Sequence, residues 1–197
     1  MKSFMYSIGK KAIIASKNKI NSKSKNKVLD RYINLIKKNK KLIIKQNNKD
    51  IKLATRKKLR SNLVDRLTIN QKKLNNIYTA INSVRKLKDP IDVTLGKWKR
   101  PNGLLIKRVS IPLGVVGVIF ESRPNVVSDI SSLCFKSGNS VILKGGSEAL
   151  NSIKILVSLF RKALKINKID PNYVQLIEKK ERSYVDFILS SMSKYID

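Results

Sequence analysis

Histidine is absent from these 197 residues, and cysteine occurs once, at Cys134. The first absence removes the commonest general base and the commonest metal ligand of proteins. With a single cysteine beside it, a structural zinc site is out of reach and no metal is expected. A lone cysteine forms no internal disulfide and suits a reducing compartment, so a cytoplasmic protein is expected. No stretch approaches the roughly 18 uninterrupted apolar residues of a membrane span. The longest apolar run, around Val115–Phe120, is strand-sized, and no membrane partner is expected.

Acidic residues are scarce: 13 Asp and Glu against 43 Lys and Arg, a net charge of +30. The imbalance is uneven, because residues 1–100 carry 29 of the basic residues and only five of the acidic ones. Such an excess attracts polyanions at low salt. Lys, Asn and Ile together make 76 of the 197 residues, a trio that points to compositional drift. Arginine, the residue suited to bidentate recognition of bases and phosphates, numbers only 10. A basic nucleic-acid-binding module is therefore the alternative reading, and no specific nucleic-acid partner is expected.

What is present is a change of pattern near Pro90. Before it the chain is helical by period. In Val28–Ile44 the apolar positions Val28, Leu29, Tyr32, Ile33, Leu35, Ile36 and Ile43 form one stripe, and Asp50–Leu59 reads as a further short helix. Thr68 stands three residues before Gln71, a capping-box spacing, ahead of a helix that ends at Asp89-Pro90. Residues 1–90 thus form a helical layer. Residues 91–110 read as a β-hairpin, Val93–Arg100 and Leu104–Ser110 around the turn Pro101-Asn102-Gly103.

From residue 111 to 197 strands and helices alternate. Pro112–Phe120 is a continuous apolar run of the kind buried in a parallel sheet. Asn125–Lys136 is helix-like, Ser140–Lys144 a strand, and Gly145-Gly146-Ser147 opens a long helix. Tyr173–Ile177 is a third strand and Arg182–Met192 a further helix. This is an α/β pattern, part of a doubly wound parallel sheet. A fourth strand should follow where the chain stops at Tyr195-Ile196-Asp197, so the sheet reads as incomplete, with its edge after Tyr173–Ile177 left open.

Two loops hold the candidate chemistry. In the turn Lys144-Gly145-Gly146-Ser147 two glycines allow close backbone approach, Ser147 can cap the helix, and the helix start favours a phosphate. Lys144 could reach a ribose or phosphate oxygen. A glycine-rich connection with a capping serine and no ligand accounts for the same residues. Glu121-Ser122-Arg123-Pro124-Asn125 follows the first strand, where an open α/β sheet has its crevice. Arg123 there suits a carboxylate or acyl phosphate, and a plain polar loop is the competing reading. Gly114 and Gly117 lie within an apolar strand and are read as packing residues. Cys134 is read as a structural cysteine, with no histidine to activate it.

The runs Ile111-Pro-Leu-Gly-Val-Val-Gly-Val-Ile-Phe-Glu-Ser-Arg-Pro-Asn125 and Leu133-Cys-Phe-Lys-Ser-Gly-Asn-Ser-Val-Ile-Leu-Lys-Gly-Gly-Ser-Glu-Ala149 resemble the glutamyl-phosphate reductases (glutamate-5-semialdehyde dehydrogenases) of the aldehyde dehydrogenase superfamily. The resemblance extends to the early helix Ala12–Leu29, to Asn62–Thr68, to Lys88-Asp-Pro90 and to Lys194-Tyr-Ile-Asp197. It therefore favours a retained helix over the transit peptide that the basic, acid-free segment Met1–Asn26 otherwise suggests. It implies NADPH-dependent reduction of L-glutamate 5-phosphate to the semialdehyde, in proline synthesis, through a cysteine thiolate. That cysteine is expected beyond residue 197, in a catalytic domain absent from this chain. No catalytic residue is expected here, and the chain alone is expected to be inactive. The resemblance further implies that Lys144 contacts the adenosine ribose and phosphate, that Ser147 tolerates the 2′-phosphate of NADP, that Arg123 with Asn125 faces the substrate or oxyanion, and that the hairpin serves homo-oligomerisation. A non-catalytic remnant that associates with full-length enzyme is a further alternative.

Overall fold

The computed structural model describes residues 1–197. Five helices come first: α1 Lys2–Ser16, α2 Ser22–Lys38, α3 Lys40–Arg56, α4 Ser61–Leu67 and α5 Gln71–Lys86. A hairpin of β1 Thr94–Lys99 and β2 Leu105–Val109 follows. Then β3 Val115–Phe120, α6 Asn125–Lys136, β4 Ser140–Gly145, α7 Leu150–Ile166, β5 Val174–Leu176 and α8 Ser183–Ser191 alternate. The hairpin is antiparallel, and its turn places Gly103 at φ 87°, a left-handed conformation that glycine adopts without strain. The sheet is parallel in the order β3-β4-β5.

Residues of β4 show how the sheet is covered. Val141 and Leu143 point to a core of 28 buried residues built with α2, α3, α5, α6 and α7. Ile142 points the other way, to a second cluster with Met5, Ile8 and Ala12 of α1 and Phe187 and Ile188 of α8. Alternation along a strand sends neighbours to opposite faces, so both faces are sealed. The N-terminal helix is part of the core: Met5, Ala12 and Ala15 are fully buried. Two side chains of the sheet bind α1 by its carbonyls, Ser140 Oγ donating to Ala12 O (2.9 Å) and Gln175 Nε2 to Ile8 O (2.6 Å).

Three local expectations need correction. The stripe Val28–Ile44 is not one helix, because the chain turns at Asn39, whose side chain donates to Leu35 O (2.8 Å). A side-chain amide that satisfies a terminal carbonyl lets a helix stop in the middle of an apolar pattern. Asp50 then lies inside α3, which ends where Lys58 turns left-handed (φ 53°) and Leu59 N–H donates to Ala54 O (3.1 Å). Thr68 does not cap α5: its hydroxyl donates back to Val64 O (2.8 Å), while Asn70 Oδ1 accepts from Lys73 N–H (2.9 Å). Asparagine is the stronger N-cap, and it sits two residues closer to the apolar stripe.

The last residues run beside β3. Asp197 N–H donates to Val115 O, and Val115 N–H to Asp197 Oδ2, both at 3.0 Å. This contact lies on the side of β3 opposite β4 and β5. At the β5 edge, Arg161 Nη1 donates to Val174 O (2.9 Å) and blunts the strand that we expected to be left open. Gly117 supports this arrangement, since a Cβ there would lie 2.8 Å from Ile196 Cδ1. Close packing thus accounts for Gly117, as its place in an apolar strand suggests.

Candidate nucleotide crevice

In an open parallel sheet the free volume lies beyond the carboxyl ends of the strands, at the point where strand order reverses. Here β4 and β5 lie on one side of β3 and residues 195–197 on the other, so the loop after β3 is that point. Three connections meet at this end: Glu121–Pro124 after β3, Gly146–Ala149 after β4 and 177–182 after β5.

Lys144, the penultimate residue of β4, is 5% exposed. Its ammonium donates one hydrogen bond, to Gly145 O at 3.2 Å. Burial lowers its pKa, and the charges of Glu148 and Glu181 act against that shift. Glu148 stays ionised: burial raises its pKa, but its own backbone N–H, the hydroxyls of Ser147 and Ser122, and Lys57 together pull it below the ordinary value. Ser147 Oγ donates to this carboxylate at 2.9 Å and Ser122 Oγ at 3.1 Å. A Cβ on Gly146 would collide with Ser122, and one on Gly145 with Ile153 and Phe120. The two glycines therefore let the β3 and β4 loops press together, whatever else binds there.

The start of α7 departs from expectation. Ser147 does not cap it; Ser147–Ala149 is a single 3₁₀ turn, and α7 begins at Leu150. The cap is Asp50 of α3, 1% exposed. One of its oxygens accepts from Asn151 N–H (3.1 Å) and Asn151 Nδ2 (2.8 Å), the other from Ser152 N–H (2.8 Å) and Ser152 Oγ (2.6 Å). Asn47 extends the network: its amide donates to Ser152 Oγ (3.0 Å) and Leu67 O (2.8 Å), and its oxygen accepts from Ile69 N–H (2.7 Å). A carboxylate from the protein thus occupies the helix terminus that would otherwise attract a phosphate.

Arg123 and Gly146 line one cleft of about 390 Å³, together with Leu63, Arg66, Glu121 and Glu148. Arg66 on α4, 3.7 Å from Glu121, is a residue that the sequence did not single out. Nothing in Asn62–Leu67 marks it apart from any other helical arginine. Asn125 lies elsewhere, in the first turn of α6, donating to Asp129 Oδ2 at 3.3 Å. It lines a second cleft, between α5 and α6. Cys134 is half-buried and packed on the core, and burial raises its thiol pKa to about 11. It is protonated at neutral pH, as the structural reading of this cysteine expected. No group of His, Cys, Asp and Glu is arranged to hold a metal ion.

This fold is shared with part of the aldehyde dehydrogenase-type proteins. A propionaldehyde dehydrogenase from Rhodopseudomonas palustris superposes over 98% of this chain with a TM-score of 0.66 at 17% identity, a likeness of fold alone. Within that class the chain is similar, along almost its whole length, to part of gamma-glutamyl phosphate reductase. The Dictyoglomus thermophilum protein of that name is 43% identical over 178 residues, 90% of this chain and 43% of its own length. The Aquifex aeolicus one is 38% identical over 184 residues, 93% of this chain and 42% of its own. The crystal structure of the Thermotoga maritima protein matches 97% of this chain and 46% of its own, with a TM-score of 0.94 at 36% identity. The chain thus spans somewhat under half the length of these relatives. No family model matches the sequence.

Proposed function

We propose that this chain supplies the NADPH-binding portion of a reductase that converts L-glutamate 5-phosphate to L-glutamate 5-semialdehyde, releasing phosphate, in proline biosynthesis. The observation that carries this reading is the 43% identity to a gamma-glutamyl phosphate reductase over nine-tenths of the chain. The cofactor, when bound, supplies the hydride. Lys144 fits it: a buried ammonium at the crevice with one weak internal hydrogen bond has donors left for ribose or phosphate oxygens. Ser147, with Gly145 and Gly146, makes the adjoining turn, and its small neutral side chain leaves a 2′-phosphate unopposed at that position. Glu148 is turned instead toward Ser122, Ser147 and Lys57. Arg123 stands at the reversal of strand order, where it can face the acyl phosphate.

The test joins residues 1–197 to the remaining portion of the Thermotoga maritima relative. The joined protein should bind NADPH and reduce the acyl phosphate, while residues 1–197 alone should not turn over. Lys144→Ala in the joined protein should weaken NADPH by about 1–3 kcal/mol, the scale of a lost charge-assisted hydrogen bond. Equal NADPH affinity with and without Lys144 would remove the turn from the cofactor site.

The hairpin supports self-association with a second copy: Leu95, Trp98, Leu105 and Val109 are all exposed on two strands that pair only with each other. The lone, protonated Cys134 is in keeping with the reducing cytoplasm. No helix is long and apolar enough to cross a membrane. The net charge of +30 is read as drift. Binding of an RNA or DNA oligomer should be blind to sequence, fall steeply with salt and vanish by physiological ionic strength in a filter-binding titration. A sequence preference that survives at that salt would favour the nucleic-acid module.

A further inference from the structure

A half-buried carboxylate without a cation is an anomaly in a chain with 43 basic residues. Asp129 is one. None of the six ion pairs includes it, and its one side-chain partner is Asn125 Nδ2 at 3.3 Å. Its pKa is raised by burial, against the smaller effect of the Asn125 hydrogen bond. Such a group costs stability unless something outside the fold compensates it.

Asp129 lines the cleft of about 280 Å³ between α5 and α6. The other polar side chains there are Asn125, Asn76 and Lys73, and the apolar wall is Ile77 and Ala80. Lys73 also reaches the exposed Asp65, through its carbonyl and at 3.9 Å its carboxylate, which leaves the ammonium donors to spare. The cleft therefore offers one carboxylate, one ammonium and two carboxamides. A simple anion such as a phosphate would meet Asp129. A metal ion would meet Lys73 and find too few oxygens. A group that carries both charges a bond or two apart satisfies both ends.

We propose that the cleft between α5 and α6 binds the α-amino-acid head group of the substrate, Asp129 taking the ammonium and Lys73 with Asn76 the carboxylate. This rests on the reading of the substrate as a glutamyl compound. It separates the two ends of that substrate along one short stretch of chain. Arg123 faces the acyl phosphate just before α6, and Asp129 holds the head group one turn into the helix. Asn125, which begins the helix, hydrogen-bonds to Asp129 and orients it.

The probes are L-glutamate, glutarate, which lacks the amino group, and 4-aminobutyrate, which lacks the α-carboxylate. Each is titrated into isotope-labelled chain 1–197 and followed by amide chemical shifts. L-Glutamate should saturate, with shifts confined to α5 and α6. Asp129→Asn, which keeps size and shape, should weaken L-glutamate by about tenfold or more and leave glutarate no weaker, since glutarate loses only a repulsion. Lys73→Gln should weaken L-glutamate and spare 4-aminobutyrate. The proposal is overturned if L-glutamate does not saturate, or if Asp129→Asn weakens glutarate as much as L-glutamate or changes neither. These titrations need no NADPH. Loss of this site beside intact, Lys144-dependent NADPH binding in the joined protein sinks the head-group assignment alone. A joined protein that binds no NADPH and reduces no acyl phosphate, while L-glutamate still saturates the cleft, sinks the reductase reading and leaves the cleft an amino-acid site.

Discussion

Replacing Asp50 by alanine lowers the unfolding free energy by about 3 kcal/mol, since it removes a helix cap and strands buried donors. The buried N–H groups of Asn151 and Ser152 would lose their acceptor, and the hydroxyl of Ser152 would keep only Asn47. No water can replace a carboxylate that is 1% exposed without opening the contact between α3 and α7. For a domain of this size the loss corresponds to a fall in the melting midpoint of roughly 6–12 °C. Asp50→Asn should lose less, because its carbonyl oxygen still accepts one pair of donors. Calorimetry on the three proteins checks the order, and a loss below ~1 kcal/mol for the alanine variant would mean that Asp50 is dispensable as a cap. The effect should also reach the crevice, since the capped turn directly follows Gly145–Glu148.

Phe160→Ala should cost about as much or more, ~3–5 kcal/mol, the range for emptying a buried aromatic site. Phe160 is fully buried and holds two ring contacts, to Tyr32 at 4.6 Å and to Phe135 at 5.8 Å between centroids. Phe135 in turn meets Tyr173 at 5.5 Å, so one ring stack ties α2, α6 and α7 to the start of β5. Phe160→Leu should recover most of the loss, because it restores volume if not ring geometry. Urea unfolding gives both values. Equal losses for alanine and leucine would show that edge-to-face ring contacts, and not volume, hold α7 in place.

The two residues differ in how far the sequence announced them. Phe160 stands on an apolar stripe with Ile153, Leu156, Val157 and Leu164, so its inward face could be read from period alone. The strands were equally plain, because Val115–Phe120 and Val141–Leu143 are apolar without interruption and glycine or proline brackets them. Asp50 could not be seen in this way. It acts on residues about 100 positions later, and in its own helix it looks like one more exposed acid. The same holds for Asp129, whose meaning comes from Lys73 and Asn76 on another helix. Ser147 misled for the opposite reason. Its local pattern is a sound capping signal, but a distant carboxylate with two oxygens outcompetes one hydroxyl. Thr68 lost to Asn70 by the same kind of local competition. Lys144 and Arg123 drew attention because one stands near the end of β4 and the other in the loop after β3, the places where an open parallel sheet gathers its ligands.

The seating of α1 on the sheet has a consequence for synthesis. Its carbonyls at Ala12 and Ile8 are bound by Ser140 and Gln175, partners 128 and 167 residues downstream. A ribosome adding about 5–20 residues per second needs on the order of ten to thirty seconds to deliver the second of them. For that interval the first helix emerges with Met5, Ile8 and Ala12 facing nothing. The helix is thus made long before the sheet it docks on, and a nascent chain must keep that apolar strip from other chains, whether by the lysines that flank it or by a chaperone.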